Sequence, residues 1–228
     1  MAWFLSFSFL RDRIQIRVRA FLGVMEPVRE GHMVNIESGG ARTAFIFMDF
    51  QNYILKNFLP PETAEQVVGR AGDVLVAARK AGCFIIHVAV CFRPGYPEIS
   101  RRNRMFSWIR DSDMARPDSH DIAIDARLAP QPEEPVVQKR RIGAFGGTDL
   151  DMILRARGVE RLFLSGVATS HVVLTTFNQA FDLDYDLTVI HDACADGDET
   201  AHAFLTETFF PKLGGVRSSR DVLATLED

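Results

Sequence analysis

Val136-Val-Gln-Lys-Arg-Arg-Ile-Gly-Ala-Phe-Gly-Gly-Thr-Asp-Leu150 and Ser165-Gly-Val-Ala-Thr-Ser-His-Val-Val-Leu-Thr-Thr176 share one pattern. In each, a short β-branched or apolar run ends in polar and glycine residues, and a helical pattern follows. A buried strand that delivers functional groups at its C-terminal end reads this way. Lys139 stands where the first strand stops, and Thr169 and Ser170 stand where the second hands over to a helix.

The same alternation extends in both directions. Thr43-Ala-Phe-Ile-Phe-Met48 is an uninterrupted run ending at Asp49, as expected of a strand buried on both faces. Phe50-Gln-Asn-Tyr53 reads as a loop. Pro60-Pro61-Glu62 opens a helix in which Val67, Val68, Ala71, Val74, Leu75 and Ala78 share one face, and Gly82 stops it. Cys83 to Phe92 is a second strand. Residues 98–134 are polar and without a sustained period, so they read as a long segment covering a substrate. Thr148 is placed to cap the helix after the Val136–Lys139 strand, and Gly158 to end it. Arg161-Leu-Phe-Leu164 and Leu187-Thr-Val-Ile190 are further strands. Thr169 or Ser170 caps the helix between them, and Asp196 or Asp198 caps a helix running to about Phe210. Strands alternating with helices predict an α/β fold of three α/β/α layers with a mainly parallel sheet.

Composition narrows the classes. The 228 residues suit one large domain with an appendage, and a net charge of −4 without a basic block gives no case for nucleic acid. Three cysteines (Cys83, Cys91, Cys194) lack C-x-x-C spacing, which fits a reducing, cytoplasmic compartment rather than a disulfide framework or structural zinc. Met1 to Leu10 is apolar but too short to span a bilayer, and arginines follow it rather than precede it. Residues 1–40 are therefore read as an N-terminal extension: a surface anchor, an oligomer-contact arm or a poorly folded lead-in. The domain itself is assigned to residues 41–228.

In open parallel sheets, ligands bind beyond the carboxyl ends of the strands. Asp49 and Lys139 at two such ends would each favour the other's charged form, and the pair could position or shuttle a proton. The helix start near Ser170 directs backbone N–H groups to the same region.

Asp49-Phe-Gln51, Lys139-Arg-Arg-Ile-Gly-Ala-Phe145 followed by Gly-Thr-Asp-Leu, Gly166-Val-Ala-Thr169 and Asp192-Ala-Cys-Ala together resemble the isochorismatase-like hydrolase superfamily, in order and spacing. The resemblance spans residues 43–217. It implies a Rossmann-like fold, homo-oligomers, an Asp-Lys-Cys triad and a cis peptide. Asp49 and Lys139 match the first two triad members, Val167–Ala168 the cis bond, and the N–H groups of Ala168 and Val172 the oxyanion donors. The family's cysteine falls three residues after the threonine of Gly-Val-Ala-Thr, where this chain has Val172. A valine side chain offers no nucleophile. Cys91 and Cys194 read as core residues, and His87 and His191 as structural. The Asp-x-His of metal-binding relatives is missing, so no metal and no cofactor are expected.

Three functions follow from this reading. One is cysteine-independent hydrolysis of a small molecule, with Asp49 as general acid on a vinyl ether, as in isochorismatases proper. Another is amide or ester hydrolysis by water that Asp49 activates. The third is a ligand-binding protein without catalysis. The substrate pocket is assigned to Gln51, Arg93, Tyr96, Phe106, Trp108, Phe145, Thr169, Ser170 and His171, with Arg93 or Arg104 as a carboxylate clamp.

Overall fold

Thr43–Met48 carries no charged residue and forms β1, buried along its whole length. It is the central strand of a computed structural model that describes residues 42–117, 119 and 122–227. The extension assigned to residues 1–40 lies outside the described residues. β2 (Phe84–Val90) and β3 (Val136–Lys139) lie on one side of β1, and β4 (Arg161–Val167), β5 (Asp186–Ala195) and β6 (Gly215–Arg217) on the other. The order is β3-β2-β1-β4-β5-β6 and every pair is parallel. This is the doubly wound Rossmann order, whose direction of winding reverses between β1 and β4.

Alternate residues of each strand feed two cores. Phe45 and Phe47 of β1 join Phe163 of β4 and the apolar face of α2 (Pro61–Lys80). Ala44, Ile46 and Met48 face the other way, toward Leu150 and Leu154 of α4 (Leu150–Ala156) and Phe177 of α5 (Leu174–Asp182). Both sheet faces are therefore covered, which is why the strands read as unbroken apolar runs. α2 begins with proline in its first turn and ends before Gly82, whose φ of 68° suits glycine.

Four local expectations need correction. Asn52–Phe58 is a helix, α1, where a loop was expected through Tyr53. The 98–134 segment contains α3 (Arg104–Asp111), because Asn103 caps it through the Phe106 N–H at 3.0 Å and Phe106 and Ile109 give it a buried face. α4 starts one residue later than Thr148 would set it. The Thr148 hydroxyl still accepts weakly from the Leu150 N–H, at 3.3 Å. The chain after β4 enters α5 through a wide π-helical turn, Thr169–Val173, and neither Thr169 nor Ser170 caps it with its side chain. Among the remaining elements, α6 (Glu199–Phe204) is capped by Asp198, which accepts from the Ala201 N–H at 3.0 Å, and α7 (Ser219–Glu227) closes the described chain.

The β1–β4 seam tolerates no side chain at Gly166. A Cβ there would stand 2.6 Å from the Met48 carbonyl oxygen and 2.9 Å from the Met48 Cβ. Because the obstacle includes backbone, Gly166→Ala is expected to lower stability by about 1–3 kcal/mol, read as a fall in the urea midpoint.

Candidate active site

Asp49 is the first residue beyond β1 and has a φ of 61°, a left-handed conformation that aspartate tolerates better than most side chains. Its N–H still donates to the Val88 carbonyl at 2.9 Å, which keeps the turn attached to β2. Lys139 ends β3, in register with Val90. Across the end of β2, Lys139 Nζ meets Asp49 Oδ2 at 2.8 Å and donates to the Arg141 carbonyl at 3.1 Å. Both residues are at most 4% exposed. Burial raises the Asp49 carboxyl above its ordinary value, against the opposing pull of the Lys139 charge and hydrogen bond. Asp49 Oδ1 is buried without a hydrogen-bond partner.

The end of β4 lies beside this pair, at the sheet's point of reversal. The Val167–Ala168 peptide is cis. The Ala168 carbonyl accepts from the N–H groups of His171 at 3.1 Å and Val173 at 3.4 Å. The Ser170 N–H donates to Asp196 Oδ2 at 2.7 Å, and the other Asp196 oxygen accepts from the Asp198 N–H at 3.1 Å. A carboxylate from the end of β5 thus caps the turn that starts the next helix.

A cavity of about 280 Å3 opens over these strand ends, near the small end of the range for ligand pockets. Of the residues nominated from the sequence, Asp49, Phe106, Lys139, Ala168, His171 and Val172 line it. The others are engaged elsewhere. The Gln51 amide spends itself on the backbone, accepting from Val90 N at 2.7 Å and donating to Val90 O and Ile122 O. It continues the β1–β2 ladder by one rung and fastens the covering segment, whose Ile124 forms an antiparallel bridge with Gln51. Arg93 and Arg140 both pair with the Glu98 carboxylate, at 2.6 and 2.9 Å, and Arg104 is exposed. The Tyr96 hydroxyl lies 2.9 Å from the Met114 carbonyl, inside the core. Trp108 is 50% exposed and meets Phe58 edge-on. Phe145 packs on Tyr185 with the core of the opposite sheet face. The Thr169 hydroxyl is bonded to His202 Nδ1 at 2.8 Å, and the Ser170 hydroxyl to His171 Nδ1 at 2.9 Å.

The sequence reading overlooked Tyr53, Ile109, Ile142 and Asp196, which also line the cavity. Tyr53 lies in the first turn of α1, four residues after Asp49. Burial and then the Asp49 charge push its phenol upward, so it stays protonated. The i, i+4 spacing of Met105 and Ile109 was a legible signal for α3. Cys91 and Cys194 are buried and lie outside the cavity lining. His87 is fully buried in β2 and bonded to Glu134 Oε2 at 3.0 Å. Among the described residues, no group of three His, Cys, Asp or Glu side chains is arranged to hold a metal ion.

The Isochorismatase domain model matches residues 43–221 of this chain, from the start of β1 into α7. The chain belongs to the isochorismatase family. The uncharacterized isochorismatase family protein YwoC of Bacillus subtilis (strain 168) is 31% identical over 187 residues, 80% of this chain and 93% of that protein. An isochorismatase family protein from Burkholderia thailandensis is 30% identical with a TM-score of 0.68, over 82% of this chain and 97% of that one. A cysteine hydrolase from Pseudomonas syringae pv. phaseolicola 1448A shares the fold at a TM-score of 0.75 and 23% identity, over 83% of this chain and 94% of that one. Within this isochorismatase domain, the Asp192-Ala-Cys-Ala segment has a visible structural task. The Asp192 carboxylate takes the Ser219 N–H at 2.6 Å and the Ser219 hydroxyl at 2.7 Å, which caps α7 against β5. Among the described residues no helix is long and apolar enough to cross a membrane.

Proposed function

We propose that this isochorismatase-family protein hydrolyses a small molecule without a cysteine nucleophile, with Asp49 as proton donor and Lys139 as its partner. The observation that carries the reading is the division of labour within the Asp49 carboxyl. Oδ2 is held by Lys139, whereas Oδ1 is buried, unpartnered and part of a residue that lines the cavity. A carboxyl whose proton affinity is raised by burial suits general acid catalysis.

The chemistry that needs an acid here and no nucleophile is vinyl-ether hydrolysis. The Asp49 proton passes to the terminal carbon of the C=C–O unit, and the ether oxygen's lone pair stabilises the resulting cation. Water adds to that cation and returns a proton to Asp49. The hemiketal then collapses to a carbonyl compound and an alcohol. We place the oxyanion-type donors at the Ala168 and Val172 N–H groups and read Val172 as filling the position of the family's cysteine. The alternative, Asp49 as base toward water in ester or amide hydrolysis, is less well served by a carboxyl that burial biases toward protonation.

The test is a panel of neutral enol ethers together with isochorismate, run in D2O. The expected product carries a single deuterium at the protonated carbon. Turnover of esters or amides alone would overturn the vinyl-ether assignment. Cysteine independence has a separate check. Burial pushes the Cys83 thiol up to about 11 and the Cys194 thiol up to about 12, and it also raises Cys91. All three are buried, so iodoacetamide at neutral pH is expected to leave turnover unchanged.

A further inference from the structure

We infer that the cavity is built for a compact, largely apolar ligand that is neutral or singly cationic, and that it selects against carboxylates. The inference deepens the reading of Asp49 and Lys139 as the reacting pair, and rests on it for the location of the site.

Several charged groups line the cavity. Among the described residues these are Asp49, Lys139, Asp196 and Asp198, with His171 at the rim. Leaving His171 aside, these four groups sum to one net negative charge when Asp49 holds a proton and two when it does not. No arginine is among the lining residues. Of the guanidinium groups that adjoin lining residues in sequence, Arg140 is drawn to Glu98 and Arg110 to Asp111, and Arg104 and Arg141 are exposed and outside the lining. An anionic ligand would therefore find Lys139 as its one fixed counter-charge, and that ammonium is already 2.8 Å from Asp49.

The Ser170 N–H, one of the donors at this helix terminus, does not make up the deficit. A free N–H at the start of the Thr169–Val173 turn would be a natural carboxylate seat. Here the Ser170 N–H is occupied at 2.7 Å by the protein's own carboxylate, Asp196, which is 8% exposed. A ligand carboxylate would approach that buried charge in surroundings where like charges are poorly screened. The remaining wall is mostly hydrocarbon, from Phe58, Phe106, Ile109 and Ile142 among others, with the Tyr53 phenol beside them. Among the buried side-chain polar atoms of the described lining residues, Asp49 Oδ1 is left for a ligand to satisfy. Ionised, it accepts an N–H or O–H; protonated, it donates to an electron-rich group.

Four probes that share one ring test the inference: benzamide, benzylammonium, benzoate and isophthalate. They are titrated into the full-length protein with isotope-labelled isoleucine methyls. Shifts at Ile54, Ile109 and Ile142 locate a probe in the cavity. Benzamide and benzylammonium are expected to bind at least about tenfold more tightly than benzoate, with isophthalate weakest. Asp198→Asn keeps a side-chain acceptor for the Ala201 N–H, so α6 retains its cap. It is expected to narrow the gap between benzylammonium and benzoate. Benzoate or isophthalate binding as tightly as benzamide would overturn the inference, as would an unchanged gap in Asp198→Asn. Failure of the catalytic reading looks different. If Asp49→Asn kept full turnover while the probes kept their order, the proton-donor role would fall and the charge preference would stand.

Discussion

Asp49→Asn is expected to lower turnover by about 10²- to 10⁴-fold, the range that a positioned general acid contributes. Asparagine preserves the shape and still accepts from Lys139, but it has no proton to give. The same change strands a buried ammonium. Removing one partner of a buried ion pair costs about 3–5 kcal/mol, and the retained hydrogen bond should keep this variant at or below the low end. Lys139→Met is the informative mirror image. Asp49 can shed its charge by taking up a proton, so the loss of stability should be smaller than in Asp49→Asn. Lys139 lowers the Asp49 carboxyl both through its charge and through its hydrogen bond. Its removal should therefore move the alkaline limb of the pH–turnover profile to higher pH. Pre-steady-state and steady-state rates across pH read both effects. Equal turnover by wild type and Asp49→Asn, or an alkaline limb that moves down in Lys139→Met, would contradict the assignment.

Acid is expected to destabilise the fold in two stages, through a cluster around His87 of β2 and Glu134. Glu134 receives two hydrogen bonds from Arg79, both at 2.7 Å, one from the Gln131 N–H at 2.9 Å, and the contact with His87. Burial works to raise the Glu134 carboxyl, but the Arg79 hydrogen bond, then those from Gln131 and His87, outweigh it and bring it down to about 2. Its folded value is thus below its unfolded one. That stabilisation is complete above the ordinary glutamate range and disappears as pH falls from about 4.5 toward 2. At neutral pH it is worth about 3 kcal/mol. His87 acts in the same sense over a higher window. Burial lowers it despite Glu134, so protonation of the unfolded chain begins to favour unfolding as pH drops below 6.5. Asp49, raised by burial, opposes both. Urea midpoints from pH 7 to 3 should therefore fall in two stages. Glu134→Gln should lose about 3 kcal/mol at pH 7 and flatten the lower stage. A wild-type profile level from pH 7 to 4, or a Glu134→Gln variant as stable as wild type at pH 7, would remove this cluster from the account.

The alternation of strands and helices, the burial of both sheet faces and the family are all legible in the amino-acid sequence. Those properties are written locally, in the apolar run of Thr43–Met48, the one-sided pattern of α2 and the motif residues at strand ends. It also singled out Asp49 and Lys139, because a charged residue that ends a buried strand has few places to go except the rim of the sheet. What lines the cavity was decided only by the tertiary structure. Ser170 looked available to a ligand anion until β5 brought Asp196 to its N–H from 26 positions away. Arg93 looked like a clamp until Glu98 claimed it. Gln51 looked like a pocket residue until β2 supplied both backbone groups of Val90 to its amide. Periodicity reports which face of an element is buried. Which polar group satisfies which depends on strand order and on the path of the covering segment, and the Ser170 and Gln51 contacts join residues far apart in the chain.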